Sequence, residues 1–397
     1  MKKIMCAAFV AAMALVSCHK EPVATQPAQQ GEMKAVTINL SNVETLAKSA
    51  STAGDLKGQK AVISNFQVFF TNALGDKFYK GKNANGTDAA HYFTRTAALE
   101  TFHFLSAEVT RVIVVANLGA EKAPANVAEL MGYTTAVADQ QEINMNNLVM
   151  FGEVTSLQET GDHTSTHPST KIYRAEVTVT PLIARLEVNT FGVSFAKNSL
   201  FQSVTIDKLA FDNYYPQAKL SGAVLGERVR QEFAEYTDPT QLKNAQVTYF
   251  TRLLGTEWYA DFVDASLTDS GIQTITVARE AATGTEDSPA QVKTHPLDGH
   301  YYAYHFFPSA EATTYTANGY PRLYLQVTST NNQGDKAVQY VMTKNFNGNG
   351  SEPFVAGKIY RVNFTFPDSL LEDPLICAEV TVDVVAWTVV ELTPDWN

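Results

Sequence analysis

Between Ala378 and Leu392 the chain has no glycine and no proline, and one parity is small or apolar throughout: Ala378, Val380, Val382, Val384, Ala386, Thr388, Val390 and Leu392. A period of two marks a β-strand with one buried face, because successive side chains of a strand point to opposite sides. The other parity, Glu379, Thr381, Asp383, Val385, Trp387, Val389 and Glu391, is polar at both ends and apolar in the middle. The middle is therefore expected to be covered on both faces. Such a strand needs a partner sheet, in its own molecule or in another.

Composition agrees with a strand-built protein. The 397 residues are enough for two domains, 45% hydrophobic content supplies a core for each, and 17 Tyr and 22 Phe favour strands over helices. A formal net charge of −11 without clustered Lys and Arg excludes nucleic acid as a partner.

The first eighteen residues read as an address. Lys2 and Lys3 precede an apolar run from Ile4 to Val16, and Leu15-Val16-Ser17-Cys18 resembles a bacterial lipobox. That pattern implies acylation of the Cys18 thiol by palmitate-type chains and a lipoprotein held at the outer membrane. No later segment is apolar over the length a membrane helix needs. Cys6 departs with the signal, Cys18 carries lipid and Cys377 stands alone, so no disulfide is expected.

Residues 19–34, rich in Pro, Gln and Ala, read as a tether. A short one-sided strand follows at 35–41, with Val36, Ile38 and Leu40 alternating against Thr37 and Asn39. The polar stretch from Asn42 to Gln59 carries Lys48-Ser49 within a run of small residues and reads as a loop open to a protease. Strands are then expected from Val62 to Thr71, at Phe78-Tyr79, within 91–105, from Arg111 to Asn117 (apolar on both faces, hence central), from Leu148 to Phe151 and from Ala175 to Val179. A short helix is expected at Asn126–Met131, capped by Asn126 with Val127, Leu130 and Met131 inward. The run Leu182–Val188 marks the boundary between two domains. Beyond it strands are expected at 204–211, 245–249, 271–277, 301–307, 323–328, 339–342 and 358–366. Gly226 to Tyr236 could be helical, and 156–170, 278–299 and 345–354 read as surface loops.

Catalytic chemistry is not legible. His163 and His167 have helical metal-ligand spacing, but Thr164-Ser165-Thr166 and Pro168 place them in a loop; His295, His300 and His305 are scattered. There is no nucleophile elbow, no supported cysteine and no phosphate-cradling glycine loop, so neither an enzyme nor a cofactor is expected. Asn85-Gly86-Thr87 and Asn349-Gly350-Ser351 match a glycosylation sequon, a weak pattern. The aromatic groups at Phe211–Pro216 and His300–Pro308 could stack on sugars, but core filling is the simpler expectation.

Four stretches, in this order and spacing, resemble the fimbrillins of Bacteroidetes type V pili, the FimA-type major fimbrial subunits. They are Arg111–Ala120 with Asn147–Gly152, then Leu182–Val188 around Ala184-Arg185, then Gly357–Val362, and finally Val380–Val390 around Ala386-Trp387 with Trp396. The resemblance implies an all-β fold of two tandem transthyretin-like β-sandwich domains with minor helices. The expected division is a signal peptide 1–18, a tether 19–34, an N-terminal sandwich 35–183 and a C-terminal sandwich 184–397 ending in a donor strand 378–397. It also implies a mechanism, in which an envelope protease cuts after the first strand and the groove left by Val36, Ile38 and Leu40 takes the terminal strand of another subunit. The donor residues would be Val380, Val382, Val384, Trp387, Val390, Leu392 and Trp396. Filling a groove in this way is a β-augmentation, and head-to-tail repetition builds a filament at the cell surface that supports adhesion. The family's cut follows an arginine, whereas no Arg precedes Arg95 here and the matching position is Lys48, before Ser49. If the first strand is retained, the chain is instead an anchor or monomeric surface lipoprotein that binds a host glycan or protein.

Overall fold

The structure is a computed structural model that describes residues 33–41, 43–45, 60–94, 101–140, 148–165, 168–212, 214–228, 275–280, 290–296, 302–309, 322–343, 354–372, 377–378, 380–386 and 388–391. It is all-β, built as two β-sandwiches in series. The strands of the first half are β1 (Lys34–Ser41), β2 (Val43–Thr45), β3 (Lys60–Ile63), β4 (Asn65–Thr71), β5 (Phe78–Tyr79), β6 (Tyr92–Thr94), β7 (Phe102–Leu105), β8 (Arg111–Ala116), β9 (Thr134–Ala136), β10 (Met150–Val154), β11 (Gln158–His163), β12 (Lys171–Thr178) and β13 (Thr180–Pro181). One sheet has the order β11-β12-β1-β7, and the other β13-β10-β8-β4-β5 with β6 also on β4.

The alternation of each strand decides what lies between these sheets. Val36, Ile38, Leu40, Ala175 and Val177 of the first sheet and Phe66, Val68, Phe70, Val112, Val114 and Met150 of the second are buried in one cluster. The other parity of the second sheet, Phe69, Ile113 and Val115, is buried too, under Leu130 and Leu220. Strand β8 is thus covered on both faces, as its unbroken apolar run predicts. The cover is helix α1 (Val127–Met131), where Asn126 Oδ1 accepts from the Glu129 backbone N–H at 2.9 Å, so the expected cap is present. Leu130 is buried, and Val127 and Met131 are half-buried against the same cluster.

The second half contributes β14 (Ala184–Phe195), β15 (Phe201–Asp212), β16 (Gln217–Lys219), β17 (Val224–Leu225), β18 (Ile275–Ala278), β19 (Gln291–Pro296), β20 (Tyr302–Phe306), β21 (Arg322–Asn331), β22 (Lys336–Thr343), β23 (Lys358–Pro367), β24 (Cys377–Ala378), β25 (Val380–Ala386) and β26 (Thr388–Glu391). Its sheets run β19-β14-β23-β25, with β20 also on β14, and β18-β15-β21-β22-β24. Phe191, Val193, Val204, Ile206, Phe306, Val327, Ile359 and Phe366 fill the space between them and join the same contiguous core.

Two small sheets cross from one half to the other. Strand β16 pairs with β9 and β17, and β26 lies between β2 and β3.

Several sequence expectations are corrected by these pairings. The stretch 156–170 is not simply a loop: it contains β11, every residue of which is exposed, so no apolar alternation could mark it. Pairing with β12 makes it a strand, through Gln158↔Arg174, Glu159↔Tyr173 and His163↔Lys171. The expected loop 278–299 likewise holds β19, paired along β14 from Thr190↔Pro296 to Phe195↔Gln291. The run Leu182–Val188 leads into β14, which starts at Ala184 and continues to Phe195. The expected strand 245–249 and most of the expected helix 226–236 lie outside the described residues.

Candidate functional site

Strand β1 is an inner strand, although it is the first of the described strands. It runs parallel to β12 in unbroken register from Ala35↔Ile172 to Ser41↔Thr178, and antiparallel to β7 at Lys34↔Leu105 and Val36↔Phe102. Val36 is 0% exposed, Ile38 3% and Leu40 8%, whereas Asn39 faces solvent. Burial of three such side chains contributes roughly 1.5 to 3 kcal/mol each. The expected alternation of Val36, Ile38 and Leu40 is therefore present.

Polar contacts fix the register of β1. Lys34 Nζ donates to the Val109 carbonyl at 2.6 Å and lies 5.0 Å from the centre of the Tyr173 ring. Partial burial lowers the Lys34 pKa below its usual value. Thr37 and Thr101 hydroxyls meet at 2.7 Å, and Asn39 Nδ2 donates to Glu176 Oε2 at 2.8 Å. Between β12 and β7 there is therefore a slot one strand wide, which the chain fills with its own β1.

The terminal stretch is divided among three sheets. Strand β24 pairs in parallel with β22 at Met342↔Cys377 and Thr343↔Ala378. Strand β25 lies antiparallel on β23, from Lys358↔Ala386 to Phe364↔Val380, and forms the edge of that sheet. Strand β26 enters the small sheet between β2 and β3. Of the expected donor residues, Val380, Val382 and Val384 fall on β25 and Val390 on β26. Trp387, Leu392 and Trp396 lie outside the described residues, as do Cys18, Lys48 and Ser49.

Other residues singled out by pattern have structural places. Tyr214, Tyr304, Phe306 and Phe307 are buried in the core, with Phe306 against Phe354 at 4.9 Å and Phe354 against Tyr360 at 4.6 Å. Tyr214 is therefore not presented for stacking on a sugar. His163 is exposed on β11, and no group of three His, Cys, Asp or Glu side chains converges among the described residues.

Pattern reading missed a buried polar junction. Arg185 on β14 and His305 on β20 are register partners, each 2% exposed, with Arg185 Nη1 donating to His305 Nε2 at 2.6 Å. His305 Nδ1 donates in turn to the Gln140 carbonyl. Gln140 also donates to Thr135 Oγ1 at 3.1 Å and accepts from the Val149 N–H at 2.7 Å. Burial, and then the Arg185 charge, hold the His305 pKa well below 6.5, so the imidazole is neutral. Only its register opposite Arg185 could have betrayed it, and register is not visible in one strand.

Two features of the N-terminal sandwich explain residues of the sequence pattern. Asn117, at φ 58, ends β8; its Oδ1 accepts from Ser64 N–H at 2.8 Å and its Nδ2 donates to the carbonyls of Val62 at 2.7 Å and Leu148 at 2.9 Å. Gly152 on β10 lies close against β12 of the other sheet, since a Cβ there would sit 2.4 Å from the Thr178 carbonyl oxygen.

Comparison with known proteins bears on these features. Residues 35–180 match the family model described as major fimbrial subunit protein (FimA). No curated protein matches the chain. Among solved structures, the chain is similar to a fimbrilin (FimA) from Porphyromonas gingivalis, at 12% identity and TM-score 0.49, covering 91% of this chain and 99% of that one. It is also similar to a candidate cell adhesion protein from Bacteroides eggerthii, at 17% identity and TM-score 0.47, covering 92% and 98%. A C-terminally truncated tip fimbrial protein, Mfa3, from Porphyromonas gingivalis is similar at 10% identity and TM-score 0.40, covering 89% and 100%. The family match spans most of β1, its neighbours β7 and β12, the Asn117 corner and Gly152. Over residues 35–180 the chain is therefore similar in sequence to the FimA major fimbrial subunit proteins.

Proposed function

We propose that this chain is the precursor of a pilus subunit that polymerises by donor-strand exchange. In this reading the lipobox directs acylation at Cys18 and anchorage at the outer membrane. An envelope protease then cuts near Lys48-Ser49, and β1 leaves. The observation that carries the reading is that β1 is an inner strand with three buried apolar side chains and no covalent tie to the sandwich except through the stretch that bears Lys48. Its loss would uncover an apolar groove and unpaired edges on β7 and β12, which is what an incoming strand of the same period would cover. The donor is the 378–397 stretch of another copy, whose Val380, Val382, Val384, Val390 and Leu392 share one parity. Five such side chains stabilise a joint by on the order of 10 kcal/mol before ordering costs. The division into sandwiches at 35–183 and 184–397 belongs to the same reading.

The test is deletion of Glu379–Asn397 in cells, with surface filaments scored by electron microscopy. Loss of filaments with the chain still exported is expected; unchanged filaments would overturn the donor assignment. N-terminal sequencing of sheared protein reads the cut, and a start at Ser49 is expected. A second reading, an anchor or monomeric lipoprotein that keeps β1, is favoured by the Lys at position 48 where the family has Arg. It predicts a blocked, lipidated Cys18 in the mature chain.

A further inference from the structure

The small sheet β2-β26-β3 does more than join the two halves. Strand β2 follows β1 with only Asn42 between them, and β3 precedes β4 with only Ser64 between them. Strand β26 is parallel to both, pairing Val43↔Val389, Glu44↔Val390 and Thr45↔Glu391 on one side and Thr388↔Lys60, Val389↔Ala61, Val390↔Val62 and Glu391↔Ile63 on the other. Residues 46–59, which bear Lys48, connect the two strands that flank it. The end of the terminal stretch is thus clasped between the continuation of the strand in the slot and the start of the sandwich's second sheet.

We propose that β2 is a latch on the terminal strand. The segment 34–45 fills the slot with its first part and holds β26 with its second, so that its departure opens the groove and frees one edge of β26 in a single event. The occupant that the freed edge and the vacated slot are built for is a second copy of this chain. This rests on the strand-exchange reading above and adds the coupling between acceptor and donor. Before the event, β26 is an inner strand of its own molecule and presents no edge, so uncut subunits do not join. Afterwards β26 retains β3 alone, while β25 retains its seven pairings on β23. The distal end, not the whole terminal stretch, is therefore the part that lets go first.

The test uses the full uncut chain and two neighbouring proline variants, Glu44→Pro and Thr45→Pro. Adjacent residues of a strand direct their N–H groups to opposite sides, so one variant removes a donor facing β26 and the other a donor on the outer edge of β2. Hydrogen exchange at 388–391 is expected to quicken on the order of tenfold in only one of the two. Exchange at 380–386 and at 171–178 is expected to stay as in the parent. An equal effect of both variants on 388–391, or none from either, would overturn the latch. Cutting the parent between 45 and 60 separates the two readings. Fast exchange at 388–391 without filaments supports the latch and counts against strand exchange. Filaments formed while 388–391 still exchanges slowly overturn the latch and leave strand exchange standing.

Discussion

Asn117, Gly152 and Gly357 are three single residues through which the sequence pattern acts on the fold. Asn117 occupies the left-handed region, where Asn is tolerated because its short side chain bonds locally, and its amide ties β8 to the junction of β3 and β4 and to Leu148. Asn117→Ala leaves these buried partners unsatisfied and the backbone strained, and is expected to destabilise the protein by about 2 to 4 kcal/mol in urea unfolding. Gly357 has φ 70, donates its N–H to the Ile183 carbonyl at 2.8 Å, and has no room for a Cβ, which would fall 2.1 Å from Thr180 Cγ2. The start of β23 is thereby pressed against the run where the first sandwich ends. Each of these residues was visible as part of a spacing pattern. What each does was not, because a corner, a sheet crossing and a positive φ depend on partners remote in the chain.

At the scale of elements, the strands most easily read were those with one buried parity. Strands β1 and β8 and the cap of α1 lie where alternation and cap chemistry place them. Strands β11 and β19 escaped because their exposed or edge positions impose no pattern on side chains; backbone pairing to β12 and β14 alone makes them strands. For β1 the alternation carries an energetic forecast. Ile38→Ala is expected to cost about 2 to 4 kcal/mol in urea unfolding, while Asn39→Ala on the solvent side is expected to fall within about 0.5 kcal/mol of the parent. Equal losses at both positions would show that β1 is not buried on one face. The terminal stretch, read as one strand with one continuous face, is instead distributed over β24, β25 and β26 in three sheets, and no local rule could have divided it.

For the whole molecule, the halves are joined by the β9–β16 pairing, by β26, and by the Gln140–His305–Arg185 junction. The junction makes stability depend on pH. His305 is neutral when folded, with a pKa well below 6.5, and near 6.5 when unfolded. The unfolded chain therefore binds more protons as pH drops, and the contribution is complete above about 6.5 and lost as pH falls towards the folded value. His91, also lowered by burial, acts in the same direction. Unfolding free energies from urea titrations are expected to fall between pH 7.5 and 5.5, by up to about 1.4 kcal/mol per pH unit from His305, with a flatter profile for His305→Gln. By itself the sequence determined the all-β class, the one-sided first strand, the two-faced β8 and the terminal stretch with its period of two. These follow from local periodicity, which needs no partner to be read. Only the tertiary structure decided which sheet each strand joins: β1 between β12 and β7, and β26 between β2 and β3. Backbone pairing is blind to side-chain identity, and register is set between segments tens to hundreds of residues apart.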